Sequence, residues 1–124
     1  GRVLAKSEGR VCAIELDEGR FAMLENNVRV AGLEETVSCV RGDFARLILD
    51  DDGPEAARSA LKEAEVLFLD PPWGGKDVDN MPADSVELEM SGASMSELIH
   101  RVAQPDFATM RHVLLKLPPS YRLA

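Results

Sequence analysis

Apolar residues fall into two patterns along this chain, short unbroken runs and runs spaced by three and four, and the two alternate. Val66 to Leu69, led in by Glu65, is unbroken and too short for a helix, which predicts a strand buried on both faces. Arg10 to Leu16, with Val11, Cys12, Ala13 and Ile14, predicts another buried strand, as do Thr36 to Val40 and Arg111 to Leu117. Between them, Phe21, Leu24, Val28 and Ala31 recur on one helical face, so a helix is expected from Glu18 to Ala31, closed by Gly32. Pro54 to Ala64 predicts a second helix, with its proline near the first turn. Ser94 or Ser96 can cap a third through about Val102, with Pro105 ending it. Val3-Leu4-Ala5-Lys6 reads as the tail of a helix with Gly9 as its C-cap glycine. Phe44 to Leu49 is a short apolar segment and Asp50-Asp51-Asp52-Gly53 a solvated acidic loop, while Lys76 to Gly92 reads as a polar loop on the substrate side.

Strands alternating with helices imply parallel pairing through right-handed crossovers, hence an α/β fold with the acidic strand ends Glu15, Asp43 and Asp70 on one rim. Pro71 and Pro72 cannot donate to a ladder, so the Asp70 carboxylate is held at its strand's carboxyl end with Trp73 just beyond it, and Gly74 and Gly75 let the chain turn away. Ligands of open α/β sheets lie outside such strand ends, and a carboxylate beside an aromatic plate suits a flat nitrogenous ring. A strand-end carboxylate can accept from both hydroxyls of a ribose, which makes Glu15 a candidate, with Asp17 behind it. Asp43 could accept from an adenine amine with Phe44 beside the ring. Each residue also has a plain structural role open to it: Glu15 and Asp17 as loop acids or a helix N-cap, Asp43 as a turn residue, Phe44 as core.

A chain of 124 residues is one domain at most, long enough to bury a core and short for a complete nucleotide-cofactor enzyme. The formal charge of −8 shows no electrostatic footprint for nucleic acid. Cys12 and Cys39 lie in apolar runs and read as buried reduced thiols of an intracellular protein. No signal peptide or membrane-length apolar run is present. Cys12, Cys39, His100 and His112 lack metal-ligand spacing, so no metal is expected. Lys116 is a candidate contact for a substrate phosphate, with snorkelling from the last strand as the alternative.

Asp70-Pro71-Pro72-Trp73 is similar to the signature of S-adenosyl-L-methionine-dependent methyltransferases that modify exocyclic amines of bases, and Trp73-Gly74-Gly75 narrows the likeness. The whole chain resembles the RNA cap guanosine-N2 methyltransferases, the trimethylguanosine synthases. Cys12-Ala13-Ile14-Glu15-Leu16-Asp17, Asn26-Asn27 with Gly32, Gly42-Asp43-Phe44, Pro71-Pro72-Trp73-Gly74-Gly75 and Leu115-Lys116-Leu117-Pro118 fall in that family's order. The resemblance implies a Rossmann-like class I methyltransferase fold, a mostly parallel sheet with flanking helices, and S-adenosyl-L-methionine as cofactor. It implies that Glu15 and Asp17 meet the cofactor ribose side, Asp43 and Phe44 its adenine, and Asp70 both cofactor and acceptor amine. Pro71, Pro72 and Trp73 would complete the catalytic turn, with Trp73 stacking on a 7-methylguanine cap, and Gly74 and Lys116 would lie against the substrate. The implied partner is capped small RNA, with no membrane and no metal, in the nucleus or cytoplasm; nothing in the sequence sets the oligomeric state.

The chain departs from the family at two points. Asp70 stands where serine is usual and is the choice of adenine-N6 and cytosine-N4 methylases and of ribosomal guanine-N2 enzymes, so another rRNA, tRNA or DNA base amine stays open as acceptor. No first strand with a Gly-x-Gly turn precedes Arg10, and strands that would follow Tyr121 are missing. Residues 1–124 therefore read as a partial methyltransferase domain truncated at both ends, expected to be inactive in isolation, with the edges of the strands at Arg10–Leu16 and Glu65–Asp70 left bare. A non-catalytic remnant or interaction module is the alternative from a different functional class.

Overall fold

The computed structural model describes residues 2–70, 89–90 and 92–117. Their order is β1 (Arg2–Ser7), β2 (Arg10–Glu15), α1 (Glu18–Val30), β3 (Val37–Arg41), α2 (Phe44–Leu49), α3 (Glu55–Glu63), β4 (Val66–Asp70), β5 (Glu89–Met90), β6 (Ala93–Ser94), α4 (Met95–Val102), a 3-10 turn (Pro105–Phe107) and β7 (His112–Leu115). Five strands form one sheet in the order β3-β2-β1-β4-β7, and β5 and β6 pair separately.

The fold is α/β as expected, but the sheet is mixed. β2 pairs parallel with β3, and β4 with β7, whereas β1 runs antiparallel to both β2 and β4. Residues 2–7 are thus not the end of a helix. Val3 and Ala5 are buried on one face while Leu4 and Lys6 point to the other, a period of two. Ser7 pairs with Arg10 across the two-residue loop Glu8-Gly9, where both residues have positive φ, 47° and 77°, the conformation of a tight hairpin turn. Gly9 is a hairpin glycine rather than a helix cap. The facing edges of β2 and β4 that were expected to be bare are both paired, to β1.

The other elements lie close to their expected places, with Phe44–Leu49 now a short helix. α1 is capped by Asp17 and ends before Gly32 at φ 69°. Pro54 is the N-cap residue of α3. Ser94, not Ser96, caps α4 through a reciprocal pair: Glu97 N–H donates to Ser94 Oγ, and Ser94 N–H donates to the Glu97 side chain. Helix α4 stops at Val102, and Pro105 opens the 3-10 turn instead of ending the helix. The Asp50–Asp52 loop carries ion pairs from Arg46 to Asp52 and from Lys62 to Asp51 at 3.2 Å. The proposed loop at 76–92 lies outside the described residues except at its end, where Met90 is buried and pairs with Ala93.

One face of the sheet, with Val3, Ala5, Cys12, Ile14, Leu67 and Leu69, packs against α2, α3 and α4 in a single core cluster. The opposite face is occupied, among the described residues, by α1 alone, over β2 and β3, where Ala13 and Val28 are buried. Strand β4 is therefore buried on one face and only half-buried, through Val66 and Phe68, on the other. No helix among the described residues is long and apolar enough to cross a membrane.

Candidate active site at the carboxyl rim

β2, β3 and β4 end at the same rim because they point the same way. β1 points against them, so its first residue lies there too. Arg2 is opposite Asp70, and the pairing of Val3 with Ile14 sets Arg2 beside Glu15 in turn. Glu15 pairs with Arg41, and the pairing of Leu69 with Leu115 brings Lys116 next to Asp70, its N–H donating to Leu69 O at 2.9 Å. Across five strands the rim row therefore reads Arg41, Glu15, Arg2, Asp70, Lys116, with charge alternating at every step. In register, each carboxylate stands between two basic residues.

Glu15 is the most distinctive member. It is 6% exposed, and it is the buried charged residue of the described chain. Its Oε2 accepts from the Leu16 N–H at 2.8 Å, while its other oxygen has no protein partner among the described residues. A buried carboxylate with an unused acceptor is costly unless something completes it. Its backbone is fixed as well: Gly42 N–H donates to Glu15 O at 3.1 Å, and Arg41 Nε–H donates to Leu16 O at 3.2 Å.

Asp17 and Asp43 have taken their structural options. Asp17 Oδ1 accepts from Arg20 N–H at 2.8 Å as the N-cap of α1, and Asp43 Oδ1 accepts from Ala45 N–H at 3.1 Å as the N-cap of α2. Phe44, at 3% exposed, is in the core and offers no open ring face at the rim. Of the candidates, the structure brings Glu15, Asp17 and Asp43 together around the β2 and β3 ends. Asp70 stands two strands away from Glu15, about 10 Å at the usual strand spacing. Pro71, Pro72, Trp73 and Gly74 lie outside the described residues. Arg2 and Arg41 were missed in sequence, since only strand direction and register reveal that they share a row with the acids.

Burial pushes the Cys12 thiol up from its ordinary value, offset in part by a hydrogen bond with Ser38, and burial with the nearby Glu25 does the same for Cys39. Neither is an activated nucleophile. No group of His, Cys, Asp or Glu suited to a metal ion occurs among the described residues.

Parallel strands ending in carboxylates, beneath helices on one face, define an α/β enzyme-type sheet with its site outside the carboxyl ends. The chain belongs to the RNA cap guanine-N2 methyltransferase family, whose model matches residues 2–124. The family is one of methyltransferases, and its substrate is RNA. No solved structure matches the chain.

Proposed function

We propose that this chain takes part in S-adenosyl-L-methionine-dependent methylation of the exocyclic N2 amine of guanine in a 7-methylguanosine RNA cap, with the rim as the active site. Family membership supports the reaction class, and the single observation that supports the cofactor is Glu15: a buried carboxylate with one open acceptor suits the two donors of a ribose diol. Asp43 keeps one oxygen outside its cap bond for an adenine amine, and Phe44 supports that turn from within the core.

Bound S-adenosyl-L-methionine would supply a sulfonium methyl for transfer to the guanine N2, the new nitrogen–carbon bond replacing the carbon–sulfur bond, whose electron pair would leave with the thioether while the amine proton passes to solvent. The Asp70 carboxylate, half-buried at the end of β4, accepts from the hydrogens of the amine, localises the nitrogen lone pair and fixes its approach. Trp73 would stack on the cationic cap base, and Lys116 would meet a phosphate of the RNA.

The test is methyl transfer to RNA oligomers with and without a 7-methylguanosine cap, with cofactor binding measured by titration calorimetry. Glu15→Ala should weaken cofactor binding by about 1–3 kcal/mol; unchanged affinity would remove the ribose role from Glu15. One observation favours the interaction-module reading: Arg2 sits in register between the two carboxylates the cofactor and acceptor would use. Absence of cofactor binding by the folded full-length protein would decide for that reading.

A further inference from the structure

Glu15 stands where the ladder between β2 and β3 runs out. The bond from Gly42 N–H to Glu15 O, 3.1 Å, closes that pairing, and the next element begins only where Asp17 caps α1. Leu16, between the two, belongs to neither and is 50% exposed. Its N–H is given to Glu15 Oε2 at 2.8 Å, and its carbonyl accepts from Arg41 Nε–H at 3.2 Å. A side chain of the neighbouring strand thus holds a peptide group that neither ladder nor helix holds. Paired residues of adjacent strands point to the same face, so Arg41 and Glu15 stand side by side on the face under α1. No ion pair joins them among the described residues, because the guanidinium reaches on to Leu16 instead.

We propose that Arg41 is a positioning residue of the cofactor site: it fixes the Leu16 backbone so that the Leu16 N–H engages one oxygen of Glu15 and leaves the other open to a ribose diol. The proposal rests on the assignment of the ribose to Glu15. Tying the Leu16 carbonyl limits the torsions of that residue, and so aims the N–H that is the carboxylate's protein donor among the described residues. Freed from that donor, a buried carboxylate turns to the nearest cation, which in register is Arg41 itself. A guanidinium closed on Glu15 would occupy the oxygens that the ribose hydroxyls need. The bond to Leu16 therefore does two things at once: it orients the acid, and it keeps the neighbouring cation from competing with the ligand. What matters in Arg41 is accordingly the Nε–H donor and not the positive charge.

The test is titration calorimetry of the full-length protein with S-adenosyl-L-homocysteine and with its 2′-deoxy analogue, using Arg41→Gln and Arg41→Met. Glutamine carries an uncharged N–H donor as many bonds from the backbone as the arginine Nε, whereas methionine has the same reach and no donor. Arg41→Met should weaken binding of S-adenosyl-L-homocysteine by about three- to tenfold and erode its preference over the deoxy analogue, and Arg41→Gln should recover most of both. Without ligand, amide exchange of Leu16 followed by NMR should quicken in Arg41→Met and not in Arg41→Gln, while the ladder amides of β2 and β3 keep their protection. In a Glu15→Ala background Arg41→Met should have no further effect on affinity. Full affinity and selectivity in Arg41→Met would overturn the positioning role and leave the ribose assignment standing. Loss in Arg41→Gln as deep as in Arg41→Met would overturn it in favour of a role for the charge, and a further loss on Glu15→Ala would show that Arg41 acts elsewhere. If the wild-type protein binds neither ligand, the ribose assignment falls and the positioning role falls with it.

Discussion

The two faces of the five-stranded sheet are made of the same kinds of residue and have opposite surroundings. Leu67 and Leu69 of β4 are fully enclosed by α2, α3 and α4, whereas Phe68 between them is half-buried and its neighbour Leu114 more than half exposed. An apolar run shows that a strand is inside something. It does not show whether the cover on each face is present in the same described elements.

That contrast can be broken most decisively by truncation. Leu67→Ala should destabilise the fold by about 2–5 kcal/mol in urea unfolding, as for other fully enclosed leucines. Phe68→Ala, one residue along on the other face, should cost clearly less, and equal losses would mean that both faces are closed in solution. Next in size are the helix caps at the rim. Asp43→Ala should cost about 1 kcal/mol and Asp43→Asn much less, since the amide oxygen can still accept from the Ala45 N–H. The smallest stability effect belongs to Leu114→Ala, expected within about 0.5 kcal/mol.

The thiols sharpen the same comparison by pH. Cys12 faces the closed side and Cys39 the side under α1, and both have raised thiol pKa values, so the fold favours their neutral forms. That contribution is intact at neutral pH and is lost as pH rises past the ordinary thiol value of about 8.5. Cys12→Ala should therefore reduce the alkaline loss of stability, measured as melting temperature against pH. Alkylation should reach Cys39 before Cys12.

Much of this architecture was legible because period and punctuation agreed. The apolar runs at β2, β3, β4 and β7, the Asp17 and Ser94 caps and Gly32 each follow from local chemistry, and all lie near their expected positions. The amino-terminal strand was misread because four residues, Val3 to Lys6, are too few to separate a period of two from one of 3.6, and a glycine suits a hairpin as well as a helix end. Its direction could not be read at all, since that depends on pairing with residues far along the chain. The same limit hid Arg2 and Arg41 from the candidate site. Glu15 was legible as a strand-end acid, but its burial, and so the reason to single it out from Asp17 and Asp43, is a product of packing.

β1 has a consequence for the order in which the molecule assembles. Among the described strands it is the one that joins the β2–β3 pair to the β4–β7 pair, and its own partners are made at different times. The hairpin with β2 closes over two residues and can form early, on the microsecond scale typical of hairpins. The pairing of Arg2 with Asp70 joins residues far apart in sequence and must wait until β4 has been synthesised. During that interval the future centre of the sheet is a strand with one free edge, open to any extended segment that reaches it first. Fidelity of folding in this protein therefore rests on how quickly β4 is delivered to a strand that was ready long before it.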